Sequence, residues 1–144
     1  MVLPDVNVLV HAHRRDSPEH ELNRDWLDRH ASGDDPIGVP DFVLSGFIRV
    51  VTHPRVYSQP SSVSDALRAA ERLRDAPSFV PIAAGVRHWS IFSRLCEQTP
   101  ATGNLVPDAH IVALMLENGV RTIWTHDRDY RRFRGIEVSD PFEG

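Results

Sequence analysis

Apolar positions along this chain recur with two different periods. Val2 to Val10 is an almost unbroken, β-branched run that reads as an opening strand, interrupted by one carboxylate, Asp5. Burying an unpaired carboxylate is costly, so the charge must either lie at the strand end or meet a cation. Asn7 and the residues after it fit a short turn, and the run is expected to leave the strand after Asp5 and become helical. Ser17-Pro18-Glu19-His20-Glu21 has the N-cap, first-turn proline and early acids of a helix start, and predicts a helix through Trp26 and Leu27 to the polar break at 31–36. Ile37 to Val39 reads as a short strand. After Pro40, Phe42, Val43, Phe47, Val50 and Val51 keep helical spacing until His53-Pro54.

The same two periods alternate through the second half. Ser61 to Ala76 predicts a helix with Val63, Leu67, Ala70 and Leu73 on its inward side, and Phe79 to Ile82 a strand. Val86 to Gln98 predicts a helix with Trp89, Phe92 and Leu95 or Cys96 turned inward. Pro107 to Gly119 is signalled at both ends, by proline in the first turn and glycine at C′. Arg121 to Thr125 and Gly135 to Val138 read as strands. Strands alternating with helices of this size predict an α/β fold: a mainly parallel sheet with helices on both faces, spanning residues 1–144 as one domain.

In such sheets functional groups collect beyond the carboxyl ends of strands. Asp5 and Asp127 fall at two such ends. A third acid, Asp108, shares a helical face with Ile111, Val112 and Met115, so it points toward the core side. Taken singly, Asp108 is also a first-turn acid that favours the helix dipole. Three acids at the ends of two strands and one helix converge only around something cationic. A hard divalent ion such as Mg²⁺ or Mn²⁺ takes oxygen ligands, uses few carboxylates and leaves positions for phosphate oxygens, which makes phosphodiester hydrolysis the natural reaction.

Composition narrows the alternatives. The net charge of −4 gives no broad electrostatic footprint for nucleic acid, so any such contact must be local. All sixteen cationic side chains are arginine, which removes phosphatase and receiver-type sites that need a lysine. One cysteine, Cys96, leaves no disulfide framework and no thiolate zinc site, and fits the cytoplasm. The apolar run at 6–10 is too short for a signal segment or a membrane span. His11 and His13 would share a face of a strand and could bind zinc, but no third ligand is fixed by the pattern. His126-Asp127 follows a β-branched strand, unlike the helical doublet of the HD phosphohydrolases.

The motifs Leu3-Pro4-Asp5-Val6-Asn7-Val8-Leu9, His20 with Trp26-Leu27, the run Phe47 to Arg55, Gly103 to His110 and Thr125 to Tyr130 occur in an order and spacing that resembles the PIN-domain ribonucleases of the VapC toxin type, over essentially the whole chain. The resemblance implies a three-layer, Rossmann-like PIN fold and a Mg²⁺- or Mn²⁺-dependent endoribonuclease acting on RNA. It also implies a homodimer, silenced by a VapB-type antitoxin whose tail occupies the active site. Carried over, it makes Asp5 and Asp108 the principal metal ligands and Asp127 a further acid of the pocket, with Asp129 the alternative to Asp127. Asn7 and Thr125 become groups that orient the carboxylates.

One departure stands out: where many members carry a glutamate, this chain has Gly46, and Asp41, five residues earlier, is a poor geometrical substitute. The competing reading is a PIN module with a degraded site that binds RNA or protein without cleavage. Arg49, Arg55 and Arg128 are candidate phosphate or antitoxin contacts. His53, Trp26 and Trp89 read as packing residues rather than base-stacking groups.

Overall fold

A computed structural model describes residues 1–141. Five parallel strands lie in the order β3-β2-β1-β4-β5: β1 Val2–Pro4, β2 Ile37–Pro40, β3 Phe79–Ile82, β4 Thr122–Trp124 and β5 Glu137–Ser139. The helices are α1 Val6–His13, α2 His20–Ala31, α3 Asp41–Val51, α4 Val63–Arg74, α5 His88–Gln98 and α6 Leu105–Glu117. Successive residues of β2 point to opposite faces and all four are buried, so both faces of the sheet are covered.

The opening run divides where the charge sits. Asp5 has extended backbone (φ −75°, ψ 166°) and its Oδ1 accepts the Val6 N–H at 2.8 Å, so the acid that cannot stay in a buried strand becomes the cap of α1. His11 and His13 therefore lie in the last turn of α1, not on a strand. Two residues apart on a helix they face different ways: His11 meets Ser17 and the His126 ring, His13 the Phe47 ring. The strand spacing behind the zinc reading does not exist.

Other expectations shift by a turn or a face. α2 starts at His20 rather than Ser17, because Ser17 Oγ is engaged by His11, Glu19 and the Glu19 N–H in a preceding turn. α4 buries Ala66, Ala70 and Leu73, whereas Val63 and Leu67 are exposed; the small alanines face the neighbouring elements. Trp89, expected inward, is 73 % exposed at the start of α5, where Leu95 and His88 are the buried positions. α6 is buried on nearly every side from Ala109 to Met115, and Gly119 closes it with φ +71°, a conformation that favours glycine.

The chain winds from β1 outward through β2 to β3, then returns to the other side of β1 for β4 and β5. The reversal falls between β1 and β4, paired Leu3 to Ile123 and Pro4 to Trp124. Connections diverge there and open a crevice at the carboxyl ends of these two strands.

Candidate active site

At that crevice Asp5 and Thr125 meet as the residues after two adjacent strands. The Asp5 N–H donates to the Trp124 carbonyl at 2.9 Å. Thr125, 1 % exposed, donates its hydroxyl to Asp5 Oδ2 at 2.8 Å and accepts from Asn7 Nδ2 at 3.2 Å and from the Asp127 N–H at 3.0 Å. One buried hydroxyl thus ties strand end, first helix and following turn together. Asn7 also donates to Asp5 Oδ2 at 3.3 Å and accepts the His126 N–H at 3.3 Å. The Tyr130 hydroxyl donates to Asp5 Oδ1 at 3.4 Å and bonds to Asp108 as well.

Asp108, Asp127 and Asp129 place one oxygen each within 4.8 Å of one another. Asp127 and Asp129, alternatives in the sequence, both join Asp108, because Asp127 Oδ1 accepts the Asp129 N–H at 2.9 Å and starts the 3-10 helix Arg128–Arg132 as a tight turn. Asp5 stands outside this trio, with its oxygens already met by Val6, Asn7, Thr125 and Tyr130, and shares the wall of a cleft with Asp108.

The electrostatics follow from burial and crowding. Burial pushes the Asp5 carboxyl up, against the hydrogen bonds from Thr125 and Val6. Asp108 is pushed up to about 7, first by burial and then by the charges of Asp127 and Asp5. Burial and the carboxylates beside it raise the Tyr130 phenol, which therefore stays an O–H donor. Crowded oxygen donors that repel one another fit a hard divalent cation, which would relieve the repulsion, and do not fit a soft metal.

Of this cluster, Asp5, Asn7, Asp108 and Tyr130 line a cleft of about 760 Å³ that also takes in His11, Phe42, Gly46 and Arg49. A second groove of about 340 Å³ is lined by Leu9, Phe47 and Leu73 and carries none of Asp5, Asp108, Asp127 and Asp129. A Cβ on Gly46 would lie 2.9 Å from Val6 Cγ2. The space that a side chain at position 46 would need is thus closed by a valine of α1 packed against α3. Asp41 is no replacement: it is exposed and pairs with Arg74 at 3.2 Å.

The PIN domain family profile matches residues 2–136. This chain belongs to the PIN-domain family. Within it, Ribonuclease VapC43 of Mycobacterium tuberculosis is 45 % identical over 144 residues, covering 100 % of this chain and 97 % of the relative. Ribonuclease VapC48 of the same organism is 39 % identical over 140 residues, 97 % of each chain. Among solved structures, VapBC2 from Rickettsia felis bound to a promoter DNA fragment gives a TM-score of 0.68 at 14 % identity, covering 97 % of this chain and 98 % of that one. M. tuberculosis VapC20, described as a sarcin-ricin loop cleaving toxin, gives 0.64 at 16 %, covering 91 % and 93 %. These two likenesses show the PIN fold.

In this PIN domain the residue that sequence reasoning passed over is Tyr130. It was visible only as the last letter of the Thr125 to Tyr130 motif; its role depends on the 3-10 turn, which swings the phenol, 1 % exposed, back under Asp5 and Asp108.

Proposed function

We propose that this PIN domain is a divalent-metal-dependent endoribonuclease of the VapC type: the toxin of a toxin–antitoxin pair, acting on RNA in the cytoplasm and silenced by a VapB-type antitoxin. The observation that carries the reading is the acid cluster at the switch point, where Asp108 is held near 7 beside Asp127 and Asp5. Groups so crowded are costly unless a cation is to be bound there. Asp108, Asp127 and Asp129, with Asp5 on the cleft wall beside Asp108, would hold Mg²⁺ or Mn²⁺. When bound, such an ion supplies positive charge to the phosphate and makes a water more acidic.

The chain's own residues do the rest. Thr125 and Asn7 fix Asp5, and Tyr130 spans Asp5 and Asp108, so the carboxylates keep their spacing without needing solvent. Arg49 on the cleft wall can hold a phosphate oxygen. Hydrolysis then splits one P–O bond, the water oxygen joining phosphorus and a proton passing to the departing hydroxyl.

The test is cleavage of a structured RNA by the purified protein with Mg²⁺ or Mn²⁺. Cleavage should stop with EDTA, and with Asp5→Ala or Asp108→Ala in variants that keep the native circular dichroism. RNA cleavage indifferent to both substitutions would sink the assignment. A second reading, a binding module with a degraded site, is favoured by the closed place at Gly46, and predicts metal-independent RNA binding with no cleavage.

A further inference from the structure

The feature that neither the acid cluster nor the core accounts for is a strip of aromatic rings leading away from the cleft. It begins at Phe42, which shares the cleft wall with Asp108 and is 42 % exposed. The Phe42 ring lies 4.6 Å from that of His110, one half-turn beyond Asp108 on α6. His110 in turn lies 6.1 Å from Phe92, and Phe92 is 5.7 Å from Trp89. Trp89 is 73 % exposed, although a tryptophan at a helix start would ordinarily turn its ring inward.

Resting on the ribonuclease reading above, we propose that this strip from Phe42 to Trp89 is a stacking platform for unpaired bases of the RNA flanking the cleaved bond. Three observations point to nucleobases as the occupant. The strip is continuous with the cleft in which the phosphodiester must lie, so an RNA strand placed there runs onto it. The chain carries a net charge of −4 and its cleft presents two carboxylates, Asp5 and Asp108, against one arginine, Arg49, so phosphate attraction alone holds a polyanion poorly. Base stacking is the form of RNA affinity that needs no positive charge.

The third observation is that the platform is pre-set. Glu117, the acid beside the start of α5, spends both oxygens on backbone: Oε1 accepts the Gly85 N–H at 2.6 Å and Oε2 the Arg87 N–H at 2.9 Å. That clamp fixes the turn from which Trp89 projects and removes the carboxylate's remaining appetite for donors. His88 below is buried and holds its ring 4.6 Å from that of His110, so the rings between the two exposed ends are fixed by packing.

The geometry also supplies a probe. Trp26 and Trp124 stack on each other at 4.6 Å and 13°, away from the strip, so Trp89 is the tryptophan a bound base can quench. An unstructured oligoribonucleotide titrated in EDTA, where cleavage is suppressed, should quench the fluorescence with saturation. Trp89→Leu and Phe42→Leu should each weaken binding about tenfold, the scale of one lost stacking contact. Trp89→Phe and Phe42→Tyr should stay close to wild type, and an abasic strand of equal length should bind much more weakly. Both positions are exposed, so circular dichroism should not change.

Binding within twofold of wild type for both leucine variants, or equal affinity for the abasic strand, overturns the platform. So does a sedimentation result in which Trp89→Leu turns an oligomer into a monomer with RNA affinity unchanged, since the strip is then covered by a second copy of the chain. If the wild type still cleaves RNA in these cases, only the platform falls. Quenching in a protein that never cleaves keeps the platform and removes the nuclease.

Discussion

Asp108→Asn should make the metal-free protein more stable, and the gain should appear only where Asp108 is charged. A carboxyl that titrates at about 7 in the fold and at 3.8 unfolded binds its proton more tightly in the folded state. Between those values the folded protein therefore carries the extra proton, and stability falls as pH rises; the penalty is complete above about 7 and absent below 3.8. At 1.36 kcal/mol per pH unit the ceiling is about 4 kcal/mol. Asp108 is only half-buried, and solvent screening reduces this to roughly 1–2 kcal/mol. Asparagine keeps the shape and can still accept from the Tyr130 hydroxyl. Denaturant or thermal unfolding in EDTA should show the variant higher at pH 7.5, by roughly 3–6 °C in Tm, and level with wild type near pH 4. Taking the difference between the two proteins cancels the histidines. Mn²⁺ should then stabilise wild type more than the variant. Parallel pH profiles for the two proteins in EDTA, or equal stabilisation of both by Mn²⁺, would refute the argument that crowding of these carboxylates is what the cation relieves.

Thr125→Ala removes a buried hydroxyl that serves Asp5, Asn7 and the Asp127 N–H, and should cost about 1–3 kcal/mol in chemical unfolding while reducing RNA cleavage; Thr125→Ser should recover most of both. Tyr130→Phe keeps the buried ring but takes a donor from two carboxylates, so the rise of cleavage rate with pH should move to higher pH; an unmoved profile would show that the phenol does not tune Asp108. Gly46→Glu should be destabilised by about 1–3 kcal/mol, because its Cβ meets Val6, and the added change Val6→Ala should recover stability and raise metal affinity, measured by titration calorimetry.

Much of the fold was legible because periodicity and punctuation agreed. The Pro107 to Gly119 helix is marked at both ends, and the alternation of strand and helix left a parallel sheet as the economical answer. Where one residue carries two instructions, the reading slipped. Val63 and Leu67 fit the helical period of α4 as well as Ala66 and Ala70 do, and only the neighbour packed against the helix decides which row is covered. Helical spacing turns the apolar Trp89 inward with Phe92, but spacing and hydrophobicity measure what burial is worth and not whether a partner surface is present.

By itself the sequence determined that Asp5 and Asp127 would lie at strand ends and Asp108 in the first turn of a helix, since a carboxylate cannot be left unpaired inside a buried strand, and that the strands would form a mainly parallel sheet; the strand order came only from the structure. Tertiary structure decided which acids stand close enough to share an ion. It drew Asp129 in beside Asp127, tied Asp5 to Thr125 and Tyr130, and closed the place at Gly46 with Val6. The reason is that ligand spacing is fixed by contacts across the chain, such as the Thr125 to Asp5 bond spanning 120 residues, and no local pattern encodes a distance of that kind.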